Sequence, residues 1–232
     1  GGASLRDDAR SRALSRAPGH AGVLNNLGLA LEAQGHSGEA EACYREVLAA
    51  TPNHPDALAN LANIQFGRED YAAAAESYDR AFAIRRDFPA SFWTQRAIAL
   101  HAIGALADAE QSLREASRLA PDIVKIHVDI GSLCLRLGKF AEAEAAYKAV
   151  LQQQPRHVDT LTRLGMLYAQ RGELENAARL LRRCVKEAPR QPPLLNNLAI
   201  VLAQLGRPEE AQRALDEAIR ERPDFASALV NR

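Results

Sequence analysis

The chain has 232 residues and is poor in aromatic side chains, which make up 5% of it, with a single tryptophan and a single methionine. That leaves too little for a row of rings on which nucleic-acid bases could stack. It also lacks any excess of charge: 29 basic and 29 acidic residues cancel, whereas a nucleic-acid binder shows a basic surplus. No apolar run at either end is long enough for a signal peptide or a membrane span, so membrane insertion is not expected. Cysteine is scarce. Cys43, Cys134 and Cys184 lie far apart and are odd in number, which excludes a disulfide framework and fits a reducing, cytoplasmic setting, with export of a processed chain as the alternative. Catalytic and cofactor motifs are missing too: no G-x-x-x-x-G-K-[ST], G-x-G-x-x-G, H-E-x-x-H or C-x-x-C occurs. No catalytic residue, metal or cofactor is expected.

What the chain has in plenty is alanine, about a fifth of it, and alanine favours helix. It also has a period. Prolines stand at Pro18, Pro52, Pro121, Pro155, Pro189 and Pro223, at gaps of 34, 69, 34, 34 and 34. The unit is therefore 34 residues, with one extra residue near Arg86–Pro89. With this proline as place 32, full units span 21–54, 55–89, 90–123, 124–157, 158–191 and 192–225. Residues 1–20 form a partial repeat or capping helix before them, and 226–232 begin a further helix. Place 20 is alanine six times: Ala40, Ala74, Ala109, Ala143, Ala177 and Ala211. Place 8 is always small (Gly28, Ala62, Ala97, Gly131, Gly165, Ala199), and place 24 is large (Tyr44, Tyr78, Leu113, Tyr147, Leu181, Leu215). Place 15 is glycine except for Glu69 in the second unit.

Places 4, 7, 8 and 11 form one stripe of a first helix, as in Leu24, Leu27, Gly28 and Leu31. Places 20, 24 and 27 form the stripe of a second. The glycine between them suits the left-handed residue that ends a helix. Asp70 suits an N-cap, Pro208 a first helical turn, and the place-32 proline stops the second helix. Small residues at places 8 and 20 let the paired backbones approach, and place 24 fills the space beside them. Periodicity therefore puts Tyr44, Tyr78, Tyr147, Trp93, Cys134 and Cys184 in the core, with Cys43 less buried. His127 and His157 fall at different places and build no common site. Unit three departs from the pattern with Arg96 at place 7, or Gln95 if the insertion lies later; unit two has Gln65 at place 11. Looser packing or a kink is expected around 86–100.

These residues resemble the tetratricopeptide repeat (TPR) family, of 34 residues per helix–turn–helix unit, over about nine-tenths of the chain. The resemblance implies an all-α fold, a right-handed α-α superhelix of six repeats. It implies a concave groove lined by places 2, 5, 6, 9, 12 and 13 of the first helices, where a protein or peptide partner binds. Place 6 reads Asn26, Asn60, Gln95, Asp129, Arg163 and Asn197, then Asn231; place 9 includes Asn63, Ser132, Met166 and Ile200. Amides both donate and accept, so such a row can hold a peptide backbone whatever its sequence. The candidate peptide-binding residues are Asn26, Asn60, Asn63, Gln95, Asp129, Arg163 and Asn197. The asparagines, with Leu58–Ala62, resemble the repeat arms of O-linked N-acetylglucosamine transferases; the competing role is bonding within the array. The lysine-and-arginine clamp of chaperone-binding relatives is not matched, because Lys125 stands alone and is followed at place 6 by Asp129. The expectation is a non-catalytic interaction scaffold. The alternatives are a substrate-selecting arm of a larger enzyme, which an array running on past the last residues would suit, and self-association through repeat ends.

Overall fold

The computed structural model describes residues 20–232; the candidate capping helix at 3–17, with Arg6 and Arg10, lies outside the described residues. Among those, there are thirteen helices and no strand. They fall into two compact units, Gly1–Pro121 and Asp122–Arg232. The first contains α1 (His20–Ala33), α2 (Ser37–Ala50), α3 (Pro55–Gly67), α4 (Tyr71–Ile84), α5 (Ala90–Ala102) and α6 (Leu106–Leu119). The second contains α7 (Val124–Arg136), α8 (Phe140–Gln153), α9 (Val158–Gln170), α10 (Leu174–Glu187), α11 (Pro192–Gln204), α12 (Pro208–Glu221) and the short α13 (Ala226–Asn231). In each unit every first helix packs against its own second helix, and that second helix packs against the next first helix.

The turn inside each hairpin is one motif repeated. Gly35, Gly104, Gly138, Gly172 and Gly206 hold φ of 72–83°, and the residue after each donates its N–H to the carbonyl five residues back, as His36 does to Leu31. That bond closes a helix end and requires a left-handed residue. Unit two makes the same turn with Glu69 at φ 63°, and Asp70 N–H reaches the Gln65 carbonyl. Asp70 then caps α4 by accepting from Ala73 N–H, and Pro208 opens α12. His54 and His157 cap α3 and α9 in the same way, each with Nδ1 accepting from the N–H three residues on. The place-20 alanines are buried, five of the six fully, as are Tyr44, Tyr78, Tyr147, Cys134 and Cys184.

Three expectations need correcting. Leu27, assigned to the core stripe, is 47% exposed, although Leu61, Leu164 and Leu198 at the same place are buried. Those three lie on first helices with a second helix packed before them; α1 has none among the described residues. Leu229 at place 4 is likewise exposed, since α13 buries only Ala228. Looseness over 86–100 is confined to an open cavity beside Arg86 and Arg96, and the rings of the segment pack closely. The extra residue is taken up in the five-residue link 85–89, α5 begins at Ala90, and Arg96 therefore takes place 7. The rings close ranks around the link: Phe82 lies 4.0 Å from Trp93 and 5.2 Å from Phe88, and Phe88 lies 5.5 Å from Phe92. Aromatic pairs at these separations attract beyond simple burial. Arg85 covers the Phe88 ring at 4.6 Å and pairs with Asp56 and Asp87. Arg96, in a leucine's place, pairs with Asp79 and donates to Ser112 Oγ.

Candidate functional site

The side chains of places 6 and 9 stand on the first helices, and what fixes them comes from beneath. The second helix sends a tyrosine at place 24 past the small residue at place 8. In unit two the Tyr78 hydroxyl lies 2.6 Å from Asn63 Oδ1 and 3.1 Å from Gln95 Oε1. It has one proton, which goes to the nearer Asn63. In unit four Ser132 gives its proton to the Val128 carbonyl, so its Oγ accepts from Tyr147 at 3.3 Å and from Arg163 Nη1 at 3.1 Å. The two arrangements match: a buried hydroxyl, the place-9 group of its own unit and the place-6 group of the next. Burial pushes the pKa of both hydroxyls up, more than any other influence, so they remain neutral donors. In unit one Tyr44 has instead Glu32 Oε2 at place 12, at 3.2 Å.

The place-6 residues are not equivalent. Asn60 is 6% exposed and donates through Nδ2 to Asn25 Oδ1 at 3.1 Å. Asn231 does the same to Asn196 at 2.9 Å. Asn25 and Asn196 are place-5 residues that the sequence reasoning passed over, and both are buried. A signal was present: each belongs to an Asn-Asn doublet with another asparagine 35 residues further on. Asn26 is exposed and Asn197 half-buried, and neither makes a side-chain hydrogen bond among the described residues. Asp129 is held by Lys125 at 2.8 Å, and Arg163 by Asp159 at 2.9 Å. In repeats one and three the place-9 residues, Leu29 and Ile98, are large, aliphatic and exposed. The face thus offers fixed amides, compensated charges and open aliphatic groups. Nothing in it is arranged as a nucleophile beside a base, which acyl or phosphoryl transfer by side chains would need.

No helix among the described residues is long and apolar enough to cross a membrane. Comparison with known proteins agrees with the repeat reading. The family described as the cilia and flagella-associated protein 70 C-terminal domain, a TPR family, matches residues 3–229. The chain is 34% identical over 91 residues to the TPR repeat-containing thioredoxin TTL4 of Arabidopsis thaliana, covering 39% of this chain and 13% of that protein. It thus spans about an eighth of that relative's length. Among solved structures it is similar to YrrB, a TPR protein with an unusual peptide-binding site, with TM-score 0.67 at 18% identity over 81% of this chain and 96% of that one. It is also similar to the C-terminal part of a TPR repeat-containing protein from Cytophaga hutchinsonii, with TM-score 0.71 at 16% identity over 84% and 78%. At such identities the likeness concerns the fold alone. The hairpin turns, the alanine crossings and the family match together make the chain a TPR-type helical-repeat scaffold, and it belongs to the cilia and flagella-associated protein 70 C-terminal domain family.

Proposed function

We propose that the chain is a non-catalytic interaction scaffold that takes a peptide or partner segment on the first-helix faces of its units, at Asn26, Asn60, Asn63 and Gln95 in the first and at Asp129, Arg163 and Asn197 in the second. The observation that carries this reading is the pair of matching networks, Tyr78–Asn63–Gln95 and Tyr147–Ser132–Arg163. They hold Asn63, Ser132 and Arg163 in place before any partner arrives, which lowers the ordering cost of binding. Exposed Leu29 and Ile98, also at place 9, give a partner's apolar side chains something to cover. The peptide-binding site named for YrrB supports the idea by analogy of fold.

Asn60 supports the face from within, through Asn25, and is a poor probe of binding. Asn26 and Asn197 are the clean ones. Changing both to alanine should weaken partner binding roughly 5- to 150-fold, at about 0.5–1.5 kcal/mol for each lost hydrogen bond, with little change in melting temperature. Affinity capture of the partner with wild-type and double-variant protein, followed by titration, reads this out. A double variant that holds the captured partner as tightly as wild type refutes the assignment of the face.

A second reading, a repeat arm that presents partners to an attached domain, is favoured by two facts. The matching family is described as a C-terminal domain, and the matched stretch is a small part of a thioredoxin-bearing relative.

A further inference from the structure

Three breaks in the repeat pattern meet at one cavity. Arg86 stands at place 32, where proline recurs; Arg96 stands at place 7, where the repeat has aliphatic residues; and the extra residue is taken up in the link 85–89. An open cavity of about 620 Å³ lies there, lined by Phe82, Ile84, Arg86, Trp93, Arg96 and Asp79 among others. None of its lining residues occupies places 2, 5, 6, 9, 12 or 13, so it is separate from the first-helix face. Its wall has an apolar part: Phe82 and Trp93 are buried with their rings 4.0 Å apart, and Ile84 is 46% exposed. Its charges are mostly spent. Arg96 is held by Asp79, and Arg85 by Asp56 and Asp87. Arg86 is exposed and has no ion pair among the described residues. The Trp93 indole N–H is buried without a hydrogen-bond partner, an uncommon and costly arrangement for a buried donor.

We infer that this cavity is a second binding site, for an apolar group bearing a single carboxylate, either a free aryl or alkyl acid or an acidic–aromatic peptide segment. The apolar body covers the exposed Ile84 and Ala83, above the buried Phe82–Trp93 pair. The carboxylate pairs with Arg86, the only arginine of the cavity wall without an ion pair among the described residues, for which a charge-assisted, bidentate bond is the natural geometry. This assignment does not depend on the first-helix face binding anything.

The test uses the chain's only tryptophan, which is part of the wall. Titration of the full chain with 3-phenylpropionate should change Trp93 fluorescence saturably, with a dissociation constant of about 0.1–10 mM, as expected for so small a ligand. The uncharged 3-phenylpropanol should bind at least about fivefold more weakly, and Arg86→Ala should remove that preference, at a cost comparable to one charged hydrogen bond. Arg86 is exposed, so circular dichroism of the variant should match wild type. An N-acetylated Phe-Glu dipeptide amide, titrated alongside, separates the sources: tighter binding than phenylpropionate assigns the site to a protein segment, weaker binding to a free acid. A fluorescence change that does not saturate, equal binding of acid and alcohol, or an unchanged acid affinity in Arg86→Ala each overturns the assignment.

Discussion

A β-carbon at place 15 has a measurable cost. Five units put glycine there with φ of 72–83°, while Glu69 makes the same turn at φ 63°. A side chain in this region costs roughly 1–2 kcal/mol, and the extra freedom glycine has in the unfolded chain takes back about 0.5–1 kcal/mol. Glu69→Gly should therefore raise stability by about 0.5–1 kcal/mol, read as a higher urea midpoint with an unchanged slope. A lower midpoint would mean that the Glu69 side chain does something in the fold that its surroundings do not reveal. The same scale explains why Arg96 is tolerated in a leucine's place: a guanidinium with only 15% of its side chain exposed needs a partner, and Asp79 supplies the carboxylate at 2.6 Å.

At the scale of the hairpin, the crossing of first and second helices is set by the pair at places 8 and 24. An ideal Cβ on Gly131 would lie 2.4 Å from Tyr147 Cε1, whereas one on Gly165 would lie 3.1 Å from Leu181 Cγ. Gly131→Ala should destabilise by about 1–3 kcal/mol through overpacking; unit two holds Ala62 with Tyr78, both buried, which favours the lower half of that range. Adding Tyr147→Leu recreates the alanine–leucine pairing of units three and six, and the double variant should lose less in thermal unfolding than the sum of the two single ones. Additive losses would show that places 8 and 24 do not meet in this way. The pairing was legible in the sequence because alanine at place 20, glycine at place 15 and proline at place 32 act locally and recur. The insertion was legible as a gap of 69, but its place in the link 85–89 was not, because Gln95 and Arg96 both fit the pattern until the start of α5 is known. The tyrosine networks stayed hidden for a different reason: each gathers groups from two hairpins, and periodicity marks a tyrosine as core without saying where its polar end goes. Asn60 shows the same limit: the repeat pattern allowed both a partner-facing amide and one bonded within the array, and its bond to Asn25 is set by the neighbouring hairpin.

Over the whole molecule the buried hydroxyls have a collective consequence at high pH. Burial pushes the pKa of Tyr44, Tyr78, Tyr147 and Tyr168 above the ordinary value of 10.0, and these are four of the five tyrosines. Nearby Glu32 adds to the effect on Tyr44 and Tyr78, as Glu144 does on Tyr168. Each of these groups ionises in the unfolded chain near pH 10 and keeps its proton in the folded one to higher pH. The unfolded state then binds fewer protons than the folded state, so stability falls as pH rises. The contribution is fully present below about pH 10 and is lost above it, by up to about 1.4 kcal/mol per pH unit for each tyrosine involved. Urea midpoints measured from pH 8 to pH 11 should hold level at first and then drop steeply. Tyr78→Phe and Tyr147→Phe each remove one titrating group, so each should shallow the drop while lowering the midpoint at pH 8 through its lost hydrogen bond. A wild-type midpoint that stays flat to pH 11, or phenylalanine variants with the wild-type slope, would show that these hydroxyls ionise as readily in the folded chain as in the unfolded one, and that the networks beneath places 6 and 9 are open to water.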